Sequence, residues 1–257
     1  MKAIILCAGF GSRLGSLGRD NPKALLDVAG RPLINWILDQ ILDLDFIEDV
    51  YVVHNDMFED RFVSWWEVYK DKRRVKLINN GISDEAKRRG AIADISKTID
   101  KQSIYGPVVV FPGDTVFTFN VKKFFYEVKR SPETGWLSLR VEKDEKKRRN
   151  YGVVGMEDGN IISSFNEKPA ESTEDYVYKG PCYFPPTVTS KLRKYCTGLK
   201  RSGTLPDNIG SFITWAIKVI KFRGCVMHSG ECIDVGSFKD YRSACQRIKR
   251  NIEDENG

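Results

Sequence analysis

Residues 2–14 leave this chain few folds to choose from. An apolar, partly β-branched run, Lys2–Leu6, leads directly into Ala8-Gly9-Phe10-Gly11-Ser12-Arg13-Leu14, and Pro22-Lys23 follows shortly after. A strand that ends in two glycines lets backbone N–H groups approach an anion closely, and Arg13 and Lys23 add charge-assisted contacts to several phosphate oxygens. Two familiar phosphate loops are excluded by their spelling. A dinucleotide fingerprint needs glycine or alanine where Leu14 stands, and a P-loop needs a lysine directly after its last glycine, which neither Gly11 nor Gly15 has. A glycine pair alone is as often an ordinary turn, but Arg13 with Pro22-Lys23 at this spacing favours a phosphate site.

Short β-branched runs alternate with helical periodicity over the first 120 residues, which predicts parallel βαβ units. Strands are predicted at Lys2–Leu6, Asp49–Val53, Arg74–Ile78 and Pro107–Phe111. Pro32 opens a helix whose Ile34, Ile37, Leu38, Ile41 and Leu42 share one face. Further helices are predicted over Phe58–Tyr69 and from Gly90 to Thr98. From Gly135 the pattern shifts to short strands at Trp136–Val141, Val153–Met156, Asn160–Phe165 and Tyr178–Phe184, then helices at Thr187–Lys194 and about Asn208–Ile220. A strand, the turn Asp234-Val235-Gly236 and a helix around Phe238–Lys249 close the chain. The expected fold class is α/β: a doubly wound, Rossmann-like mixed sheet with a small, partly antiparallel subregion, and with the ligand at the carboxyl ends of the strands. One domain is expected over residues 1–257, with two halves at 1–120 and 121–257, the second holding the last helix; the resemblance described below implies that the first binds a nucleotide and the second an acceptor.

Composition removes the competing classes. With 41% hydrophobic and 30% charged residues the chain is neither disordered nor low-complexity. No apolar run approaches the roughly 18 residues of a membrane helix; the longest, Trp215–Ile220, is broken by Lys218. The apolar stretch Ala3–Ala8 is too short for a signal peptide, and six cysteines without a C-x-x-C pair read as reduced, buried thiols, so a soluble cytoplasmic protein without membrane partner is expected. The net charge of +6 is concentrated in Lys70–Arg74, Lys87–Arg89 and Lys143–Arg149. No nucleic-acid module accompanies these clusters, so they read as solvated faces and no nucleic-acid partner is expected. His54 and His228 read as structural, and Trp65-Trp66 as helix packing.

Gly9-Phe10-Gly11-Ser12-Arg13-Leu14, Pro22-Lys23 and Val28-Ala29-Gly30-Arg31-Pro32-Leu33-Ile34 together resemble the signature of the sugar-phosphate nucleotidyltransferases, or NDP-sugar pyrophosphorylases: G-x-G-x-R-L, P-K, then V-x-G-x-P-L-I. Later fragments follow in the family's order. Phe111-Pro112-Gly113-Asp114 is similar to its G-D, Tyr151-Gly152-Val153-Val154 and Phe165-Asn166-Glu167-Lys168-Pro169 to its Y-G-V-V and E-K-P, and Asp234-Val235-Gly236-Ser237 to its late D-x-G. The likeness runs from position 2 to about 242.

That resemblance implies a GT-A-like nucleotidyltransferase fold and a Mg²⁺-dependent transfer from a nucleoside triphosphate to a sugar 1-phosphate or another phosphomonoester. It assigns catalysis to Arg13, which would hold the departing pyrophosphate, and to Lys23, which would bridge the phosphates near the α-phosphorus. Leu6, Ala8, Gly9, Gly11, Ser12, Arg13, Asn80, Gly81, Gly90, Ala91 and Asp114 would bind the nucleotide; Gly152, Glu167, Lys168, Lys179 and Gly180 the acceptor; Asp114 and Asp234 the metal. Carboxylates suit Mg²⁺, a hard ion that takes oxygen ligands. Family members that use thymidine or uridine triphosphates often carry a glutamine near the base; none lies between Gln40 and Gln102, which speaks against thymidylyl transfer and leaves cytidylyl, guanylyl and uridylyl transfer open. The polar insert Gly81–Arg89 either reaches the triphosphate or solvates a loop. Only 23 residues follow Asp234, so a catalytic core without regulatory domain, monomeric or homodimeric, is expected. Two other readings belong to the same family: activation of a non-sugar phosphomonoester such as phosphocholine or inositol phosphate, and a non-catalytic homologue that senses nucleotide sugars. Retention of Arg13, Lys23, Asp114 and Asp234 argues against the silent reading.

Overall fold

The computed structural model describes residues 1–71, 74–201 and 208–256, so Lys72 and Arg73 of the first basic cluster lie outside the described residues. The chain divides into two compact units.

The first unit holds Ala3–Arg88, Pro112–Val121 and the chain from Gly230. Its sheet has the order Val75–Asn79, Asp49–His54, Lys2–Leu6. The outer two strands pair in parallel, Val50 opposite Val75 and His54 opposite Asn79. Ala3, Ile4, Ile5 and Val50–Val53 are buried on both faces of their strands, which is why the sequence shows apolar runs there rather than alternation. The helix Leu33–Leu42 buries Leu33, Ile34, Ile37, Leu38 and Ile41, the stripe expected from its period. Each such side chain, removed from water, contributes about 1.5–3 kcal/mol before chain entropy is subtracted. Trp65 Nε1 donates to Asn35 Oδ1 at 3.0 Å and Trp66 Nε1 to the Val75 carbonyl at 2.8 Å, so both indoles serve packing. A separate two-stranded ribbon pairs Thr115–Phe117 with Cys232–Asp234.

The second unit holds Met1–Lys2, Arg89–Phe111 and Lys122–Ser229. Its strands run in the order Val108–Pro112, Tyr176–Phe184, Gly135–Val141, Phe222–Val226, Ile161–Glu167, Gly152–Glu157. Phe222–Val226 joins Gly135–Val141 in parallel, whereas Tyr176–Phe184 pairs antiparallel with Val108–Pro112, Gly135–Val141 and Gly152–Glu157, and Ile161–Glu167 pairs antiparallel with Phe222–Val226 and Gly152–Glu157. The α/β class and the mixed sheet expected from the sequence are thus present.

Boundaries differ from expectation where local pattern is weakest. The helix predicted to reach Ile220 stops at Ala216, after which Lys218 and Val219 bond only three residues back, to Trp215 and Ala216. Those predicted to end at Lys194 and Lys249 continue to Arg201 and Asn256. The single late strand is two, Phe222–Val226 and Cys232–Asp234, and the helix Lys122–Arg130 goes unannounced although it buries Phe124, Phe125 and Val128. The basic clusters are only partly solvated. Arg74 donates to the carbonyls of Leu42, Leu44 and Ile47 at the end of a helix. Arg148, 8% exposed, donates to the carbonyls of Glu142, Lys143 and Ser172 and to the Asp175 carboxylate, so it organises two loops. All six cysteines stand outside any disulfide, and no helix of the described residues is long and apolar enough to cross a membrane.

Candidate functional site

In the first unit the strand Lys2–Leu6 delivers its carboxyl end to the glycine loop. The Cys7 N–H still donates to Val53, and Asn55, fully buried, turns its side-chain amide onto the carbonyls of Ala8 and Gly9 at 3.2 and 3.4 Å. The Asn55 oxygen meanwhile accepts the Phe58 N–H. Asn55 therefore fixes the loop's path, a role sequence reasoning missed because an Asn after a strand reads only as a helix cap. Gly11 sits in the left-handed region at φ 68 and starts the turn Ser12–Leu14, in which the Leu14 N–H donates to Gly11. The helix Ser16–Asp20 crosses this turn through Gly18, whose Cα approaches so closely that a β-carbon would lie 2.2 Å from the Gly11 oxygen. Gly18 is a second residue that the motif did not single out.

Lys23 follows Pro22 in a single 3-10 turn, Lys23–Leu25, which buries its stem and leaves the side chain 12% exposed. Its Nζ lies 3.6 Å from Asp114 Oδ2. Asp114 leaves the strand Val108–Pro112 through Gly113, whose N–H donates to the Leu6 carbonyl at 3.0 Å. A β-carbon at Gly113 would lie 2.4 Å from Cys7 Sγ and 2.6 Å from the Leu6 oxygen. Gly113→Ala is therefore expected to lower stability by about 2–3 kcal/mol through overpacking, read from the urea midpoint; an unchanged midpoint would contradict this close approach. Burial, and secondarily the charge of Asp114, push the Cys7 thiol well above its ordinary pKa, so it stays protonated and inert beneath the carboxylate.

Asp234 reaches the same place from the far end of the chain. The Val235 N–H donates to the Asp114 carbonyl at 2.8 Å, and Asp234 stands opposite Thr115, whose hydroxyl donates to Asp234 Oδ1 at 2.8 Å. Opposed side chains of a non-hydrogen-bonded antiparallel pair are close neighbours, which accounts for this contact. Arg13 joins the group, its guanidinium 3.9 Å from where a β-carbon of Gly236 would sit. Ser12 Oγ donates to Glu85 Oε1 at 3.1 Å, so the insert Gly81–Arg89 folds back onto the glycine loop, beside a cavity of about 500 Å³ lined by Phe10, Ser12, Arg19, Met57 and Glu85. Asn80 is buried and its side-chain oxygen accepts the Ile82 N–H, with Gly81 between them at φ 74.

Asp114 and Asp234, the latter oriented by a hydroxyl, offer carboxylate oxygens of the kind taken by Mg²⁺, which usually uses one or two protein carboxylates and completes its shell with water and substrate phosphates. No group of three or more His, Cys, Asp or Glu side chains able to hold a metal occurs among the described residues, so the donor set fits a substrate-completed Mg²⁺ rather than a protein cage. His54 takes no part. It is stacked on Phe62 with ring centroids 4.9 Å apart, and burial lowers its pKa, as expected of a structural histidine.

The remaining candidates belong to the second unit. Gly90, at φ 84, precedes the helix Ala91–Lys101 and its carbonyl accepts the Asp94 N–H. Gly152 lies opposite Glu167 across the hairpin, under the Phe165 ring. The Glu167 carboxylate is pressed against the backbone of Gly210, in the first turn of the helix Ile209–Ala216, where backbone N–H groups favour a negative charge. Lys168 turns through a left-handed conformation at φ 46 while its N–H donates to Tyr151. Lys179 places Nζ 3.8 Å from the centroid of the Tyr151 ring, and Gly180, at φ 110, sits in the bulge where Tyr176–Phe184 shifts register. The five acceptor candidates thus gather around Tyr151, Phe165 and one hairpin end.

A family model described as nucleotidyl transferase matches residues 2–251. The chain is similar to the bifunctional protein GlmU of Methanocaldococcus jannaschii, with 25% identity over 225 residues that make up 87% of this chain and 50% of that protein. It therefore spans half the length of that relative. It is also similar to the UTP-glucose-1-phosphate uridylyltransferase AglF of Haloferax volcanii, 27% identical over 254 residues, 97% of either chain. Among solved structures its fold matches that of an apo UDP-glucose pyrophosphorylase with a TM-score of 0.80 and 14% identity, over 97% of this chain and 98% of the other.

Proposed function

The chain belongs to the nucleotidyl transferase family, and on that premise we propose that it joins a nucleoside triphosphate to a sugar 1-phosphate with release of pyrophosphate. What supports this most directly is the meeting of Lys23, Asp114 and Asp234 beside the glycine loop, three residues drawn from segments far apart in sequence.

An oxygen of the acceptor phosphate forms a bond to the α-phosphorus, the bond from that phosphorus to the bridging oxygen breaks, and pyrophosphate leaves with the electron pair. No general base is required, because a phosphate monoester with a second pKa near 6 is already ionised at neutral pH. Both reactants are polyanions, so positioning and charge neutralisation dominate the barrier. The loop Ala8–Ser12 cradles the triphosphate through backbone N–H groups, Arg13 holds the departing pyrophosphate, and Lys23 bridges the phosphates at the α-phosphorus. Asp114 and Asp234 hold Mg²⁺, which when bound neutralises phosphate oxygens. Leu6, Asn80, Gly81, Gly90 and Ala91 are assigned to nucleotide binding; Glu167 and the Gly152 backbone bind acceptor hydroxyls, and Lys179 and Gly180 are also assigned to the acceptor. Lys168 grips the acceptor phosphate. Lys168→Ala is expected to raise the acceptor KM about tenfold or more, with the nucleotide KM within twofold, since a charge-assisted contact contributes about 1.5–3 kcal/mol. An unchanged acceptor KM removes Lys168 from that role.

UTP with glucose 1-phosphate is the first pair to assay, because the relative matched along nearly all of both chains carries that activity in its name. Pyrophosphate release is measured with Mg²⁺ for ATP, GTP, CTP, UTP and dTTP against sugar 1-phosphates, phosphocholine and inositol phosphate. One strong sugar pair supports the proposal; a strong phosphocholine or inositol phosphate pair replaces its acceptor. No release with any pair, and no thermal stabilisation by any nucleotide, overturns it.

A further inference from the structure

The ribbon that carries Asp114 and Asp234 has only two strands, and such ribbons are marginal unless something holds their outer edges. The Val235 N–H bonds to Asp114 and the Thr118 N–H to Glu231. Phe117 and Cys232, opposed between those bonds, form a non-hydrogen-bonded pair, so the Phe117 carbonyl faces the outer edge. Phe117 is itself buried, and that carbonyl is met by Gln40 of the helix Leu33–Leu42: Nε2 donates to it at 2.7 Å. The same amide's Oε1 accepts the Val121 N–H at 3.2 Å. One side-chain amide thus offers a donor and an acceptor to the chain leaving the ribbon, as the peptide group of a third strand would. Gln40 follows Leu33 and Ile37 on the buried stripe of its helix, a polar residue where an apolar one would pack.

We infer that Gln40 is a positioning residue for the metal centre, holding the ribbon so that the Asp114 and Asp234 carboxylates keep the separation a single cation requires. The inference rests on the reading of those two aspartates as Mg²⁺ ligands. It locates the restraint in the helix Leu33–Leu42, and it makes metal affinity rather than substrate affinity the quantity Gln40 controls. Supporting groups outside the ligand shell typically change metal affinity 10- to 100-fold.

The test compares wild type with Gln40→Leu, which keeps the bulk and loses both bonds, and Gln40→Glu, which accepts from Val121 but repels the Phe117 carbonyl. Amide hydrogen exchange at Val121 and over Thr115–Phe117 reads the clamp itself. Mn²⁺ titration of the protein with a nucleoside triphosphate and no acceptor, followed by electron paramagnetic resonance, reads the metal site without turnover. The Mg²⁺ concentration for half-maximal pyrophosphate release reads it in the reaction. Faster exchange, Mn²⁺ binding weakened about tenfold, and a matching rise in the Mg²⁺ requirement are expected in both variants, with substrate KM values at saturating Mg²⁺ within twofold. Faster exchange with unchanged metal affinity would reduce Gln40 to a structural prop, and unchanged exchange, or a wild type that binds no Mn²⁺, would also overturn the inference. If wild type binds Mn²⁺ in a Gln40-dependent way yet releases no pyrophosphate with any pair, the positioning role stands and the proposed reaction fails.

Discussion

Lys23→Ala is expected to lower kcat by at least ~100-fold, the scale of losing one preorganised electrostatic contact, while leaving the urea midpoint close to that of wild type. On the proposed mechanism the catalytic loss is large because Lys23 is preorganised: it sits in a short turn, 12% exposed, with Nζ 3.6 Å from Asp114. The stability change is small because its partner Asp114 is 43% exposed, and ion pairs open to solvent contribute about 0–1 kcal/mol. Lys23→Arg, which keeps the charge on a different geometry, should recover only part of the rate. Steady-state kinetics on the best substrate pair decide the matter: near-normal turnover in Lys23→Ala removes it from the transition state.

Asp114→Asn is expected to cost at least ~100-fold in kcat and to raise the Mg²⁺ concentration needed for half-maximal rate. Asparagine preserves the shape of the side chain, and the turn at Gly113 depends on the backbone bond to Leu6 and the contact with Cys7, so the fold should survive. A rate within threefold of wild type, with an unaltered Mg²⁺ requirement, would show that the carboxylate is not a metal ligand. The double variant with Lys23→Ala should lose less than the two single effects multiplied. Lys23 and Asp114 are in contact at 3.6 Å, so each variant already disturbs the other's side chain and the two sites are coupled.

Much of this was legible in the residues alone. The glycine loop, Lys23 after Pro22 and the stripe Ile34, Ile37, Leu38, Ile41 are local patterns, and each appears where its spacing placed it. The strand Thr115–Phe117 and the helix Lys122–Arg130 were missed for opposite reasons. Three residues carry no measurable period, and strand pairing with Cys232–Asp234 is what defines them. The helix carries Phe124, Phe125 and Val128, with Val121 before it, at helical spacing between lysines, a stripe the reading of the sequence passed over and the structure buries. Arg74 and Arg148 were read as solvated because charge runs usually are, yet each donates to a set of backbone carbonyls.

The sequence by itself determined the fold class and the chemistry at hand: which residues carry cations, carboxylates and glycines, and in what order along the chain. Only the tertiary structure decided which of them meet. Asp114 and Asp234 are neighbours because Thr115–Phe117 pairs in one register with Cys232–Asp234, a one-residue slip of which would turn Thr115 away from Asp234. The glycine loop and the chain on either side of the ribbon are held in turn by bonds from Asn55, Gly113 and Gln40, whose partners lie tens of residues away in sequence. Periodicity reports what a residue does for its own helix or strand; the position of a carboxylate depends on backbone groups satisfied across the fold, and no local pattern encodes those.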